Sequence, residues 1–390
     1  MTKPRFWPLG DLRLKVLYVH RTSSHGLGDS IREQAILDFL EKNPLLTVND
    51  VSLPIPHLSM RNMLSSISYS SPTSTFPRAY QTLRDLPFAA MFNTFHNRLR
   101  RSFQREAFDV VVSETTPIGW LTSLLLKQHH ISVPHIVDAH GLWYAEERES
   151  GAKTWTEVKR REAEALERAT YVFVVSDAMK KFVEKEFQIQ SKKMIVVPNG
   201  APAPGAMSEY CAPLKVIYAG IFDHYENLPK YLELARKCDY QRAQFSMAGS
   251  GPLLRRVLNK IRCENIPIRY LGYIPRSAML DLLAHFSVGA IFSSNDTARK
   301  VAFPIKILDY ASRGLPLIAP KVGDWGRLIE EEEIGFSVEG TIADYVDAIR
   351  RLTNQRVWIQ MSRNAIAFAQ RHEWPKVLQP ISECLCGIHS

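Results

Sequence analysis

One feature constrains this 390-residue chain more than any other: an alternation of short apolar runs with helical patterns that starts twice. Leu14-Lys-Val-Leu-Tyr-Val19 opens the first series and Leu214-Lys-Val-Ile-Tyr-Ala219 opens the second. The first series carries expected strands at 14–19, 109–113, 135–139, 171–175 and 194–197. The second carries them at 215–219, 244–248, 268–272, 288–292, 315–319 and 335–338. Between most of them lie helical stretches. Residues 157–169 are rich in Ala, Glu and Arg, 177–187 follow Ser176 as an N-cap, and 342–352 follow Thr341 with Asp344 completing a capping box. Such alternation calls for parallel sheets with crossover helices on both faces, a doubly wound α/β chain. The turn-rich Pro198-Asn-Gly-Ala-Pro-Ala-Pro-Gly205 reads as a linker. It divides the chain into domains at 1–200 and 205–370, with a tail at 371–390.

Composition narrows the chemistry. Lys and Arg number 49 against 40 Asp and Glu, a net charge of +9 that suits an anionic partner without choosing one. Five scattered Cys, including Cys384-x-Cys386, cannot form a closed disulfide set or a zinc site, so a reducing compartment is expected. No stretch approaches the roughly 18 apolar residues of a membrane span. Pro4, Pro8, Gly10 and Asp11 stand where a signal peptide needs an apolar run. The expected location is the cytoplasm or the inner face of a membrane. No aromatic and basic recognition motif points to nucleic acid.

The stretch from Leu53 to Arg105 breaks the pattern. It holds Pro54, Pro56, a Ser/Thr-rich segment at 65–75, and then Arg78, Arg84, Arg98, Arg100, Arg101 and Arg105 among Phe and Met. Met91, Phe95, Leu99 and Phe103 are spaced by four and share one helical face. Two readings fit, and they are compatible: a crossover helix packing that stripe on a sheet with Arg in water, or an amphipathic surface for an anionic membrane.

In doubly wound domains ligands sit beyond the carboxyl ends of strands. There the sequence places His20-Arg-Thr-Ser-Ser-His-Gly-Leu-Gly28, in which Gly26 and Gly28 allow close backbone approach before a helix. Met247-Ala-Gly-Ser-Gly-Pro252 follows a second-domain strand, and Gly249 and Gly251 fit either a phosphate turn or a tight turn with no ligand. Phe303-Pro-Ile-Lys-Ile-Leu-Asp-Tyr-Ala-Ser-Arg-Gly314 predicts a helix from Pro304 or Ile305 to Gly314. Lys306 and Asp309 share one face of it. They fit an ammonium for a diphosphate at the helix start with a carboxylate for a ribose diol, or a solvated ion pair.

These segments, in their order, resemble the GT-B glycosyltransferases of family 4. The resemblance rests on Val172-Phe-Val-Val-Ser176, Val196-Val-Pro-Asn-Gly200, Val216-Ile-Tyr-Ala-Gly220, 246–252, Leu271-Gly-Tyr-Ile-Pro275, the Pro304-x-Lys306-x-x-Asp309-Tyr-Ala-Ser-x-Gly314-x-Pro316 segment and Glu373-Trp374. It implies two Rossmann-like domains facing a cleft, the first for the acceptor and the second for a UDP- or GDP-linked sugar, with the last helix (371–390) crossing back. Lys306 would contact the diphosphate, and Asp309 stands where the family usually has a ribose-binding Glu. Tyr273 and Ile274 would frame the base, and Gly26 and Gly28 would meet the diphosphate or acceptor. His140 would lie near the transferred sugar; without the resemblance it reads as a buried structural His. The chain departs from the family at Val301, where an acidic residue often contacts the donor sugar. It departs again at Ile221–Asn227, which lack an Arg and Lys that often occur there, and Arg299 and Lys300 are the candidates to replace that charge. The resemblance implies retention of configuration; for inversion, Glu114, Glu146 and Glu147 are candidate bases. With no D-x-D pair in the sequence, no metal and no separate cofactor are expected. A glycan or lipid-linked acceptor, in cell-surface polysaccharide synthesis, is the implied partner. A nucleotide-sugar epimerase and a non-catalytic nucleotide-sugar-binding protein are the alternatives.

Overall fold

The computed structural model describes residues 13–21, 28–53 and 86–389. Gly26, the Ser/Thr-rich segment, Arg78 and Arg84 lie outside them. Two six-stranded sheets form, every strand parallel to its neighbours. The first joins β1 (Leu14–Arg21), β2 (Leu46–Leu53), β3 (Val110–Glu114), β4 (His135–Ala139), β5 (Tyr171–Val174) and β6 (Met194–Val196) in the order β2-β1-β3-β4-β5-β6. The second joins β7 (Leu214–Ala219), β8 (Ala243–Ala248), β9 (Ile268–Tyr270), β10 (Val288–Ala290), β11 (Leu317–Pro320) and β12 (Gly335–Val338) in the order β12-β11-β10-β7-β8-β9. In each sheet the chain reverses its direction of winding once, between β1 and β3 and between β7 and β10. The crevice beyond the carboxyl ends of those strands is where such a fold admits a ligand.

β3 and β4 are buried along their whole lengths, as strands covered by helices on both faces must be. β2 was not among the expected strands. It reads Leu-Thr-Val-Asn-Asp-Val-Ser-Leu, and its Asn49 and Asp50 are poor strand formers. At the edge of the sheet, pairing along the whole of β1 overrides that local preference. β11 starts at Leu317, later than expected, because the Leu315 N–H turns back to the Tyr310 carbonyl at 3.1 Å.

The helix Leu86–Arg105 buries Phe95 and Leu99, and Phe103 meets Phe108 edge to face at 5.5 Å; Met91 lies outside the side chains described. Arg98, Arg100, Arg101 and Arg105 remain exposed. The chain's last segments return to the first sheet. Val377, Leu378, Ile381 and Leu385 share one core with Leu14, Val16, Ile36 and Val110. Each such side chain, fully buried, contributes roughly 1.5–3 kcal/mol. Trp374 lies flat over Gly200, where any Cβ would stand 2.4 Å from the indole.

Two buried ionisable groups flank the first sheet's core. Glu162, on the helix Trp155–Arg168, accepts from the Trp143 and Tyr144 N–H groups at 3.0 and 2.9 Å and from the Thr116 hydroxyl at 3.1 Å. It thereby caps the short helix Trp143–Glu149 from a distance, and burial pushes its carboxyl up to about 7. His135, at the start of β4, is hydrogen-bonded to the Ser113 hydroxyl at 2.9 Å, and burial lowers its imidazole to about 4.

Candidate active site

The winding reversal of the second sheet is crowned by Lys306. Its helix, Ile305–Ala311, is two turns long and ends before the expected Gly314, because Ser312–Gly314 form a turn with Gly314 at φ 69°. So short a helix has little dipole, and the positive charge at this point is essentially that of the ammonium. Lys306 crosses the end of β7 closely enough that a Cβ on Gly220 would lie 2.4 Å from its Cε. Its Nζ pairs with the Glu226 carboxylate, lies 3.4 Å from the Tyr218 hydroxyl and sits 4.9 Å from the Tyr218 ring centroid. Glu226 falls inside the Ile221–Asn227 loop. Where the resemblance implies a basic pair, the fold supplies a carboxylate that holds the Lys306 ammonium.

Asp309 points to Arg276, the first residue of the helix Arg276–Leu283, with Oδ1 2.5 Å from one terminal nitrogen and Oδ2 3.4 Å from Nε. Burial raises its carboxyl, and the Arg276 guanidinium opposes that rise. Arg276 directly follows the 271–275 segment; only the sheet's geometry shows that it reaches Asp309. Tyr273 is 61% exposed, so its ring is free to cover a flat ligand, and Ile274 is half-buried beside it.

Gly249 and Gly251 answer to a neighbouring loop. A Cβ on Gly249 would stand 1.8 Å from the Gly220 carbonyl oxygen, and one on Gly251 would stand 2.6 Å from that of Phe222. The Phe222 N–H donates to the Ser250 carbonyl at 2.9 Å. The two loops above β7 and β8 therefore pack backbone to backbone, and this packing seats Glu226's loop.

In the first domain, Glu114 ends β3 and Asp138 lies beside it in register near the end of β4. Both are fully buried. Arg32, on the helix Gly28–Glu41, grips Asp138 with two bonds of 2.7 and 2.8 Å. Burial alone would raise the Asp138 carboxyl, but the guanidinium holds it far below the usual range. His140 stands just past β4 with Nδ1 3.3 Å from Asp138. When that nitrogen carries the proton, Nε2 is left as an acceptor. Gly28 begins the helix that carries Arg32. Sequence alone does not mark Arg32, Asp138 and Asn199 as site residues, since they lie far apart in the chain and no local motif joins them.

Two of the remaining candidates, Arg299 and Glu146, join the domains. Arg299 pairs with Glu146 at 2.7 Å and lies over the Tyr225 ring at 4.5 Å, so its charge is already matched. Glu149 accepts from the Thr297 N–H at 2.9 Å, and Arg148 donates to the Thr297 hydroxyl at 2.9 Å. Lys300 is exposed, and Glu147 is buried. Val301 packs into the apolar cluster shared by the domains, and its carbonyl accepts from the Ser176 hydroxyl at 2.7 Å. Among the described residues no helix is long and apolar enough to cross a membrane.

Comparison with known proteins agrees with this architecture. Residues 51–200 match the family profile described as glycosyl transferase 4-like domain, and residues 213–355 match that of glycosyl transferases group 1. No curated protein matches the sequence significantly. Among solved structures, sucrose-phosphate synthase from Thermosynechococcus elongatus superposes with a TM-score of 0.74 at 14% identity, over 97% of this chain and 99% of that one. HepE from Anabaena, solved with UDP and glucose, gives 0.68 at 14% identity over 96% and 100%. The lipopolysaccharide outer core galactosyltransferase WaaB gives 0.66 at 13% identity over 96% and 99%. With both family domains in order on two doubly wound sheets, the chain belongs to the GT-B glycosyltransferases of group 1.

Proposed function

We propose that the enzyme moves a sugar from a UDP- or GDP-linked donor to a glycan or lipid-linked acceptor at the cytoplasmic face of a membrane, with retention of configuration and without a metal ion. The observation that carries this reading is Lys306, an ammonium held over the end of β7 at the winding reversal. A departing nucleoside diphosphate carries about two negative charges, and a preorganised cation stabilises it as it leaves. Asp309 and Arg276 would together meet the ribose hydroxyls, Tyr273 and Ile274 the base, and His140 the transferred sugar. In a retaining reaction the leaving phosphate takes the acceptor's proton, which agrees with the complete burial of Glu114. The test is transfer to a membrane glycolipid extract from a panel of UDP- and GDP-sugars, run in excess EDTA. Product with an unchanged anomeric configuration is expected at the rate seen without chelator. Activity lost to EDTA and restored by Mg²⁺ or Mn²⁺ would overturn the leaving-group assignment. Donor epimerised without acceptor would favour the epimerase, and binding without turnover the non-catalytic reading.

Membrane contact would run through the exposed Arg98, Arg100, Arg101 and Arg105. Because Phe95 and Leu99 are spent on the core, the attraction expected here is electrostatic, about 1 kcal/mol for each basic residue near an anionic leaflet. The protein should co-sediment with anionic but not neutral vesicles and release as salt shortens the Debye length. Gln at positions 98, 100 and 101 should weaken the binding. A wild type that ignores anionic vesicles at low salt would show that this helix serves packing alone.

A further inference from the structure

The network around Asp138 does not stop inside the first domain. Arg32 is 1% exposed, and the NH1 nitrogen left over from its grip on Asp138 donates to the Pro198 carbonyl and to Asn199 Oδ1, both at 3.2 Å. Asn199 is itself buried, and its Nδ2 donates at 2.7 Å to the carbonyl of Phe303. Phe303 lies two residues ahead of the helix that carries Lys306. A carboxamide is suited to this place because it accepts from a guanidinium and donates to a carbonyl at once. An aspartate would only accept, and an apolar side chain would do neither. The strap is seated on a rigid base: Gly200, the next residue, lies against the Trp374 indole, and the Ala201 N–H donates to the His372 carbonyl at 2.7 Å.

We propose that Arg32 and Asn199 are positioning residues, a buried strap that holds the Asp138–His140 strand end of the first domain in register with the Lys306 helix of the second. The inference rests on the cleft being the donor site for its catalytic consequence, but the strap has its own structural readout. Arg32 acts on His140 through Asp138 and on Lys306 through Asn199 and the Phe303 carbonyl. One guanidinium thereby ties the sugar end of the cleft to its diphosphate end. Reacting groups contributed by two domains lose rate steeply with small misplacements, while the second domain alone still retains the nucleotide.

The experiment uses Asn199→Asp in the full chain, with Asn199→Ala alongside it in case a second buried carboxylate prevents folding. Backbone hydrogen exchange over residues 303–309 is followed first, without any ligand. Exchange at least about 10-fold faster than wild type, with exchange in β7–β12 unchanged, is expected; an unchanged rate in a folded variant overturns the strap. Steady-state transfer is followed second. A kcat lowered at least about 10-fold with the donor KM within about two-fold of wild type is expected, and loss of KM with kcat retained overturns the positioning role. Combining Asn199→Ala with Arg32→Lys should cost little more than the worse single change, since both cut one strap; fully multiplicative losses overturn the coupling. A wild type that neither binds UDP nor turns over any donor would sink the donor reading, while the exchange measurement still decides the strap.

Discussion

Replacing Lys306 by alanine is expected to lower sugar transfer by about 100-fold or more while leaving the fold intact. One charge-assisted contact to a phosphate is worth roughly 1.5–3 kcal/mol, and removing a preorganised stabiliser of developing negative charge typically costs 10²–10³-fold in rate. The structure gives a reason to expect the upper part of that range. Lys306 is the counter-charge of Glu226, whose side chain is nearly buried and whose second oxygen has no hydrogen-bond partner among the described residues. Without the ammonium, that carboxylate would face the donor's diphosphate. The double change Lys306→Ala with Glu226→Gln should therefore recover about 10-fold of the lost activity, although Glu226→Gln on its own adds no cation. Steady-state kinetics with a saturating donor measure all three variants. Wild-type turnover in Lys306→Ala would remove Lys306 from the site, and a double mutant no better than the single would show that Glu226 does not face the phosphates.

The second large effect concerns stability against pH. Glu162 has its carboxyl raised from 4.5 to about 7, so the native state holds a proton there that the unfolded chain gives up. Its contribution is fully present below pH 4.5 and is lost as pH rises toward 7. His135 works in the opposite sense. Its imidazole is lowered from 6.5 to about 4, so its contribution is present above pH 6.5 and is lost as pH falls toward 4. Between pH 4.5 and 6.5 the two slopes, each about 1.4 kcal/mol per pH unit, oppose each other and nearly cancel. Glu162→Gln should expose the histidine's slope. Relative to wild type, the variant's unfolding free energy should fall by about 3 kcal/mol as pH is lowered from 6.5 to 4.5. His135→Asn should expose the glutamate's slope and change by a similar amount with the opposite sign. Urea unfolding at several pH values gives both difference curves, in which other titrating groups largely cancel. Parallel profiles for wild type and Glu162→Gln would show that Glu162 is ionised in the native protein across this range.

Fold and site were legible to different depths. Runs such as Val110-Val-Val and Tyr171-Val-Phe-Val announce buried strands by themselves, and the Thr341–Asp344 capping box forms as its spacing predicts. Lys306 and Asp309 could be found because they sit one helical turn apart, a separation within the reach of a local pattern. β2 could not, since a strand with Asn and Asp at its centre forms only when β1 is there to pair with it.

The long-range partners of several candidate charges were equally hidden. Glu226 reaches Lys306 across 80 residues, Arg276 reaches Asp309 across 33, and Arg32 reaches Asp138 across 106. What the sequence alone determined is the doubled β–α alternation, the two sheets it requires and the strand ends near which the chemistry must lie. The tertiary structure alone decided which charge neutralises which, that Gly249 and Gly251 pack against a neighbouring loop, and that Arg32 is linked through Asn199 to the Phe303 carbonyl. The physical reason is range. Propensity and periodicity act over a few residues, whereas charge pairing depends on which strand ends the order of the sheet brings side by side.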